Sequence, residues 1–425
     1  MYCGSCMRDN TLAAALHELG CDVWLIPMYT PIRTDEQDVS RREVFYGGLN
    51  VYLQERFPIF RRVPRFMDRW LDRPWLINLL AGRSIEVDGE QLGELAVSVL
   101  RGDAGHQRKE VHRLVDWLSS HARPHLVNLS NLLIAGTAPV IRRELGVPVI
   151  VTLQGDDLFL NHLREPHHGR ALAELRRLVE HIDGFIVFTE YYARSMIELL
   201  DIPRDKLHVA RLGIKLDDFR PRDDERPEGE PRRIGYLARL CADKGLDVLV
   251  DAFIELKKRA DMRDARLDIA GWLGAGDRRF AEAQWNKLRA AGLGDDFHYA
   301  GSVDRQAKLN FLRRLDVFSV PTRYQEPKGI YALEAMASGV PVAQPDHGAF
   351  PEMLARAPGG VLFRAADASH LAERWAELLT HRDEARRLGR AGREAVLREF
   401  RAETMARETL AIYERLLAAR QASVQ

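Results

Sequence analysis

Two glutamates eight positions apart, Glu326 and Glu334, are the residues of this chain best suited to chemistry. Glu326 precedes a Pro-x-Gly turn in which Pro327 suits a first helical turn, and Glu334 lies in a run of good helix formers. We expect this helix to end at Gly339, because Pro341 prevents it from resuming. Its first N–H groups and positive dipole end predict a phosphate-binding turn. The flanking carboxylates would then hold a sugar hydroxyl and a ribose hydroxyl.

Two cations, Arg239 and Lys244, follow a short apolar run that reads as a strand. Their spacing suits a pair of groups aimed at a diphosphate. The alternative is a solvated surface pair, since charged loop residues are usually exposed. Because we expect this pair and the Glu326 turn to lie in the same sheet, we favour the diphosphate interpretation.

A third polar group, Gln154-Gly155-Asp156-Asp157, follows another apolar run. The carboxyl ends of parallel strands are where open α/β sheets bind ligands. Adjacent carboxylates at such an end more often cap the next helix than bind metal. Because the sequence has neither a D-x-D at a strand end nor clustered His and Asp residues, it predicts no metal site.

Composition narrows the class of protein. The 425 residues carry 62 basic and 62 acidic side chains, a balance that argues against nucleic acid as the main partner. The chain is long enough for about two domains. The absence of a signal segment or a long apolar run predicts a cytoplasmic protein.

Four cysteines are too few for a disulfide scaffold. Cys3 and Cys6 form a C-x-x-C pair, for which a redox role and a tight turn near a ligand are both open.

The first half of the chain predicts alternating helices and strands. A helix capped by Asp9 or Asn10 runs to Gly20, and residues 23–28 then read as a buried parallel strand. We expect this domain to lack the opening strand of the βαβ pattern, since only two residues precede Cys3. Further strands are predicted at 124–129, 147–153, 184–189 and 209–214, with helices at 138–145 and 190–200.

Residues 55–75 interleave arginines with aromatic side chains, and six arginines face three acids there. This segment lies in a predicted helical insertion at about 52–120. One interpretation is a patch that touches an anionic membrane surface or an anionic acceptor. The other is an amphipathic insertion whose aromatic side chains are buried.

Residues 217–233 are rich in Asp, Arg, Pro, Glu and Gly and predict a linker. The linker divides a domain at 1–216 from a second domain at 234–400, and a helix at 401–425 would pack back on the first domain. Predicted strands of the second domain are 234–237, 266–270, 298–300, 317–320, 340–343 and 361–363. The chain therefore predicts an α/β fold of two Rossmann-like doubly wound domains facing across a cleft.

These residues resemble the family 4 retaining glycosyltransferases, which have the GT-B fold and use a nucleotide-sugar donor. The most specific motif spans residues 326–341, with Glu326, Glu334 and the Gly339-x-Pro341 end. Supporting motifs are Gly235-Tyr236-Leu237-Ala238-Arg239-Leu240 with Lys244-Gly245, Ala270-Gly271, and the Gly213-Ile214 to Phe219-Arg220-Pro221 stretch. The similarity extends over nearly the whole chain.

The resemblance implies a role for each matching position, and the expected catalytic residues are Glu326, Arg239, Lys244 and Gln154. Glu326 would contact the donor sugar, Glu334 the ribose, and Arg239 with Lys244 the diphosphate. Donor contacts would also come from Lys328, Gly329, Ile330, Tyr331, Gly271 and Gly4, the last in a glycine-rich loop. Many members have a His where this chain has Gln154, an amide that forms hydrogen bonds but carries no proton charge. The family generally needs no metal, and no cofactor is expected.

The sequence therefore predicts a retaining glycosyltransferase that acts on a hydroxyl acceptor in polysaccharide or glycolipid synthesis, in the cytoplasm. Peripheral membrane contact is one of the two interpretations of residues 55–75. The leaving phosphate would serve as the base, since no carboxylate is evidently placed as a nucleophile. Two alternatives are a nucleotide-sugar epimerase or isomerase of the same fold and a non-catalytic sugar-nucleotide binder.

Overall fold

The computed structural model describes residues 4–47, 89–222 and 230–424. The chain forms two compact units, each with its own parallel sheet. The 211–405 unit comprises Arg211–Met405 together with Met1–Thr11, and the 12–210 unit comprises Leu12–Ala210 together with Ala406–Gln425. The predicted α/β class, with one parallel sheet in each half, is confirmed.

Ten strands are present in the described residues. In chain order they are β1 (Val127–Leu129), β2 (Val149–Thr152), β3 (Gly184–Val187), β4 (Leu207–Val209), β5 (Arg233–Leu237), β6 (Arg266–Ala270), β7 (Phe297–Tyr299), β8 (Val317–Phe318), β9 (Val342–Pro345) and β10 (Gly360–Phe363).

The described residues also form fifteen α-helices. In chain order they are α1 (Gly4–Glu18), α2 (Gly89–Leu100), α3 (Arg108–Trp117), α4 (Ala138–Leu145), α5 (Asp157–His162), α6 (His167–Leu178), α7 (Glu190–Leu200), α8 (Leu246–Lys257), α9 (Arg278–Ala290), α10 (Arg305–Arg313), α11 (Ile330–Ala337), α12 (Phe350–Arg356), α13 (Ala368–Thr380), α14 (Arg382–Glu399) and α15 (Ala402–Val424).

The sheet of the 211–405 unit has the order β10-β9-β8-β5-β6-β7, and all its pairs are parallel. The chain moves outward from β5 to β7 on one side and then outward from β8 to β10 on the other. The order therefore reverses between β5 and β8, and such a switch point opens a crevice at the carboxyl ends of the strands.

The sheet of the 12–210 unit runs in chain order, β1-β2-β3-β4. Ile150 and Ile186 on the two central strands are completely buried and pack with Ile412 of α15. The side-chain amide of Asn128 on β1 donates to the Tyr413 hydroxyl of the same helix at 2.6 Å. The final helix thus covers one face of this sheet.

The strand predicted at 23–28 does not form. Met28 makes a single parallel bridge to Phe45, and the carbonyl oxygens of Leu25 and Pro27 accept hydrogen bonds from N–H groups at Arg41 and Phe45. Among the described residues, the segment has no ladder partner, and its backbone groups pair with the loop that follows it. The strand predicted at 209–214 is also displaced, because β4 ends at Val209.

The first helix begins earlier than predicted, at Gly4 instead of after Asp9 or Asn10. Cys6 lies within it, whereas Cys3 is outside the described residues. The Arg-rich aromatic segment at 55–75 is also outside them, and so is 223–229 of the predicted linker. The described part of the predicted insertion contains α2 and α3.

Candidate functional site

The reversal of strand order brings two loops together in the 211–405 unit. Arg239 and Lys244 lie in the loop after β5, and Glu326 lies in the loop after the adjacent strand β8. Because both strands run in the same direction, both loops leave the same edge of the sheet. Residues separated by more than eighty positions in sequence therefore meet at the switch point.

Close backbone packing fixes these two loops against each other. Gly245 has a φ of 69°, and a Cβ there would lie 1.7 Å from the Pro321 carbonyl oxygen. Only glycine allows this conformation and this approach. The backbone N–H of Arg323 also donates to the Asp243 carbonyl oxygen at 2.9 Å. These contacts place Lys244 beside the residues that precede Glu326.

Glu326 is buried, with 4% of its surface exposed, and its carboxylate accepts four hydrogen bonds from described residues. Three converge on Oε2, from Lys244 Nζ at 2.6 Å, the Tyr324 hydroxyl at 2.7 Å and the Tyr331 hydroxyl at 3.0 Å. The Lys328 backbone N–H donates to Oε1 at 3.3 Å. The less occupied Oε1 is therefore the oxygen better able to accept a hydrogen bond from a ligand hydroxyl.

The charge of Glu326 is strongly favoured. Burial alone would raise its pKa, but the Lys244 ammonium and the hydrogen bonds from Lys244 and Tyr324 outweigh burial and lower the pKa to about 2. Burial and the nearby carboxylate raise the pKa values of Tyr324 and Tyr331. At neutral pH the cluster therefore contains an ionised carboxylate and two phenols that keep their protons.

A third loop supports Glu326 from behind. Gly348, after β9, has a φ of 63°, and a Cβ there would lie 2.6 Å from the Glu326 backbone nitrogen. The next residue, Ala349, donates its N–H to the Glu326 carbonyl oxygen at 2.8 Å. The carboxylate is thus held by its backbone as well as by its side-chain partners, an arrangement that pre-organises a site.

Glu334, the second glutamate of the motif, has a separate partner. It lies on α11 and is 6% exposed, and its Oε1 accepts from Lys308 Nζ at 2.5 Å. Lys308 is on α10, which begins after the cap formed by Asp304. The structure therefore pairs each glutamate with a different lysine.

Arg239 is the most exposed of the predicted catalytic residues in this unit, with 47% of its side chain accessible. Its Nε donates to Cys241 Sγ at 3.2 Å, and an Nη lies 3.5 Å from Asp243. A guanidinium that is held at one edge and open to solvent on the rest can form bidentate contacts to a phosphate.

The turn before α11 and the start of that helix contain further residues that were predicted to contact the nucleotide-sugar donor. Gly329, with a φ of 67°, is the N-cap residue, and Ile330 and Tyr331 begin the helix, so their N–H groups are not used within it. Pro327 is in the preceding loop and not in the first helical turn as predicted. Lys328 Nζ donates to the Ser5 hydroxyl at 2.8 Å.

Two other glycines were predicted to contact the donor, and they lie at the end of a strand and at the start of a helix. Gly271 directly follows β6, and its carbonyl oxygen accepts from the Tyr299 hydroxyl at 2.9 Å. Gly4 is the first residue of α1 and not part of a loop as expected, and a Cβ there would lie 3.9 Å from Ile330 Cδ1. Both belong to the 211–405 unit.

Gln154 belongs to the 12–210 unit and is therefore not among the residues that the switch point brings together. It follows β2 and is 4% exposed, and its side-chain Nε2 donates to the Ser130 carbonyl oxygen at 3.0 Å. Nearby, the Tyr192 hydroxyl donates to Asp157 Oδ1 at 2.5 Å and accepts from the Gly155 N–H at 3.0 Å. These polar groups serve the loop that follows β2.

Sequence reasoning missed Lys308 and Tyr324. Lys308 is a lysine within the apolar face of an amphipathic helix, beside Leu309 and Leu312, and such a position signals a buried charge. Tyr324 lies two residues before Glu326, but only the fold of the loop shows that its hydroxyl reaches the carboxylate.

Within the described ranges, no three His, Cys, Asp or Glu side chains converge as ligands of a metal ion would. None of the helices in those ranges combines the length and apolar character that crossing a bilayer requires.

Two family models match the chain. The model described as glycosyl transferases group 1 matches residues 218–395, and the model described as glycosyltransferase family 4 matches residues 89–218. The first covers β5 to β10 with the Glu326 cluster, and the second covers β1 to β4. Together the two models account for residues 89–395, which is more than half of the chain.

Characterised relatives align over part of their length. A GDP-mannose-dependent alpha-(1-6)-phosphatidylinositol monomannoside mannosyltransferase from Mycobacterium tuberculosis is 31% identical over 249 residues, 56% of this chain and 63% of that protein. A D-inositol 3-phosphate glycosyltransferase from Corynebacterium aurimucosum is 30% identical over 48% of this chain and 49% of that protein. The match thus spans between half and two thirds of these relatives.

Solved structures share the fold over more of the chain. Sucrose-phosphate synthase from Thermosynechococcus elongatus superposes with a TM-score of 0.70 at 21% identity, covering 96% of this chain and 92% of that one. Anabaena HepE in complex with UDP-glucose gives a TM-score of 0.61 at 16% identity, covering 91% and 99%. These similarities show the GT-B fold.

Proposed function

The chain belongs to the group 1 glycosyltransferases of family 4, and we propose that it transfers a glycosyl group from a nucleoside diphosphate sugar to a hydroxyl acceptor. The reaction would retain the anomeric configuration and need no metal. The observation that carries this proposal is the Lys244–Glu326 pair at the switch point of a parallel sheet, next to the exposed Arg239.

In this proposal, each part of the nucleotide sugar has a suitable protein partner. Arg239 and Lys244 bind the diphosphate, Glu326 Oε1 accepts from a hydroxyl of the donor sugar, and Glu334 accepts from the ribose. The N–H groups at the start of α11 point toward the same anion, because a helix N-terminus attracts negative charge. Lys328 adds a further cation to this side of the site.

In the transfer step, the acceptor oxygen forms a bond to the anomeric carbon while the bond from that carbon to the diphosphate oxygen breaks. The acceptor proton passes to the departing phosphate oxygen on the same face, which conserves charge and retains configuration. Arg239 and Lys244 stabilise the negative charge on the leaving diphosphate. Protein cations therefore do the work for which other transferases use a metal.

The printed names of the relatives and neighbours suggest which substrates to test first. One relative is GDP-mannose-dependent and acts on a phosphatidylinositol monomannoside, and one structural neighbour binds UDP-glucose. We therefore propose a glycolipid or polysaccharide acceptor and a cytoplasmic enzyme. Peripheral membrane contact through residues 55–75 stays a prediction, since that segment lies outside the described residues.

A mass-spectrometric screen of nucleotide sugars, beginning with GDP-mannose and UDP-glucose, tests the proposal. We expect one donor to be consumed with release of its nucleoside diphosphate, in the presence of EDTA, and NMR of the product to show the anomeric configuration of the donor. An inverted product would contradict retention, and loss of turnover in EDTA would contradict metal independence. Isomerisation of the donor without an acceptor would favour the epimerase alternative.

A further inference from the structure

Lys308 and Glu334 form an ion pair that is shielded from solvent on both sides. Each side chain is 7% exposed, and the Nζ–Oε1 distance is 2.5 Å. Oε2 accepts no hydrogen bond from the residues that the structure describes. One oxygen of this carboxylate is thus held by the lysine ammonium. The other oxygen can accept a hydrogen bond from a ligand.

The fold places Lys308 where an apolar residue would normally lie. It is on the same face of α10 as Leu309 and Leu312, which are 7% and 0% exposed. Removing a charged group from water is costly unless a partner compensates. The Glu334 carboxylate is such a partner for Lys308, and Lys308 is such a partner for the carboxylate.

We propose that Lys308 is a positioning residue for nucleotide recognition, fixing Glu334 so that Oε2 accepts hydrogen bonds from the ribose hydroxyls of the donor. The inference rests on the proposed function. Contact with Lys308 restricts rotation of the carboxylate about its terminal torsion and so fixes the direction in which Oε2 can accept. A neutral or freely rotating group at Glu334 would distinguish ribose from deoxyribose poorly.

A purely structural ion pair between α10 and α11 would behave differently. Its loss would lower stability and weaken the binding of all nucleotides to a similar degree. A positioning role predicts a selective effect, in which the preference for ribose over 2′-deoxyribose falls. The ratio of the two affinities is therefore the informative quantity, because it does not change when a variant merely loses folded protein.

The test is calorimetric titration of the full chain with GDP, UDP, 2′-deoxy-GDP and 2′-deoxy-UDP. We expect the wild type to prefer the ribose form of its nucleotide by roughly 10- to 100-fold, as hydrogen bonds to a charged acceptor suggest. Glu334→Gln and Lys308→Met should both reduce that preference to within about threefold. Lys308→Arg, which retains the charge, should keep a larger preference than Lys308→Met.

Lys287→Met is the matched control. Lys287 is an exposed lysine on α9, and its Nζ lies 2.8 Å from Asp251 Oδ1. The variant should keep the wild-type preference. If Lys308→Met destabilises the fold, the double variant Lys308→Met/Glu334→Gln removes both charges and should restore stability while the preference stays lost.

The outcomes separate the two proposals. A wild-type preference in Lys308→Met, together with a lost preference in Glu334→Gln, would overturn the role of Lys308 and leave the donor site standing. Absence of GDP and UDP binding to the wild type would overturn the proposed function and this inference with it. A lost preference in both single variants, but not in Lys287→Met, supports the inference.

Discussion

The two parallel sheets of this protein differ at the edge formed by the carboxyl ends of their strands. In the 211–405 unit the strand order reverses between β5 and β8, and the loops that leave there bring together Arg239, Lys244 and Glu326. In the 12–210 unit the described strands run in chain order, and the β2 edge carries the neutral amide of Gln154. The reversal thus brings a lysine and a carboxylate from two different loops into contact.

The comparison shows that similar elements acquire different chemistry through topology. Both edges carry carboxylates after a buried strand, but Asp157 accepts from the Tyr192 hydroxyl and serves its own loop. Glu326 instead accepts from a lysine of a different loop, which lowers its pKa to about 2. A reversal of strand order is what allows two sequence-distant loops to share one site.

The largest effect is expected for Glu326→Gln. The amide cannot pair with the Lys244 ammonium or accept as strongly from a sugar hydroxyl, so kcat should fall roughly 100- to 1,000-fold, as for other lost transition-state contacts. Steady-state kinetics with the donor found by the screen measure this change.

Asp157→Asn, a matched carboxylate-to-amide change in the 12–210 unit, serves as the control for Glu326→Gln. It should change kcat by less than about tenfold, since Asp157 lies at the edge of the other sheet and accepts a hydrogen bond from the Tyr192 hydroxyl. If the two variants lost activity equally, the contrast between the two sheet edges would be wrong.

The next effect is on the pH dependence of stability. The pKa of Glu326 is about 2 in the folded protein against a usual 4.5, so its ionised form stabilises the fold above about pH 4.5. That stabilisation is lost as the pH falls toward 2, and at 1.36 kcal/mol for each pH unit it amounts to about 3 kcal/mol. Denaturant unfolding of the wild type and Glu326→Gln at several pH values measures it.

The difference in unfolding free energy between these two proteins should shrink steadily from pH 5 to pH 2. Asp157→Asn provides the reference titration from the other sheet edge. A difference that stayed constant over this range would contradict the lowered pKa of Glu326.

The smallest effect is expected for Gln154→Ala. The variant loses the hydrogen bond to the Ser130 carbonyl oxygen, which should cost about 1 kcal/mol of unfolding free energy, and nucleoside diphosphate affinity should change by less than about twofold. Denaturant unfolding and calorimetry measure the two quantities. A tenfold loss of diphosphate affinity would place Gln154 in the donor site. Donor binding would then involve both sheet edges and not only that of the 211–405 unit.

Local patterns predicted the elements well where propensity and burial agree. The helices at 138–145 and 190–200 and the strand at 266–270 form at their predicted bounds. Each is a continuous apolar or amphipathic run, bounded on at least one side by a residue that stops it, such as Gly146. The bounds of such runs can therefore be predicted from the local sequence alone.

Elements that depend on a distant partner were predicted poorly. Residues 23–28 are as apolar as a strand, but a strand needs a neighbouring ladder, and this segment pairs with residues 41–45 instead. Likewise the motif predicted Glu334 but not Lys308, because nothing in the sequence says that α10 lies beside α11. The sequence therefore indicated the two glutamates of the motif but not the lysine that pairs with Glu334.

The central claim is that the switch point between β5 and β8 binds the donor diphosphate, and calorimetric titration of GDP and UDP into the wild type, Lys244→Met and Lys287→Met tests it most directly. We predict that Lys244→Met binds at least about tenfold more weakly, because a cation–phosphate contact is lost, and that Lys287→Met binds as the wild type does. Equal affinity for the wild type and Lys244→Met would contradict the claim.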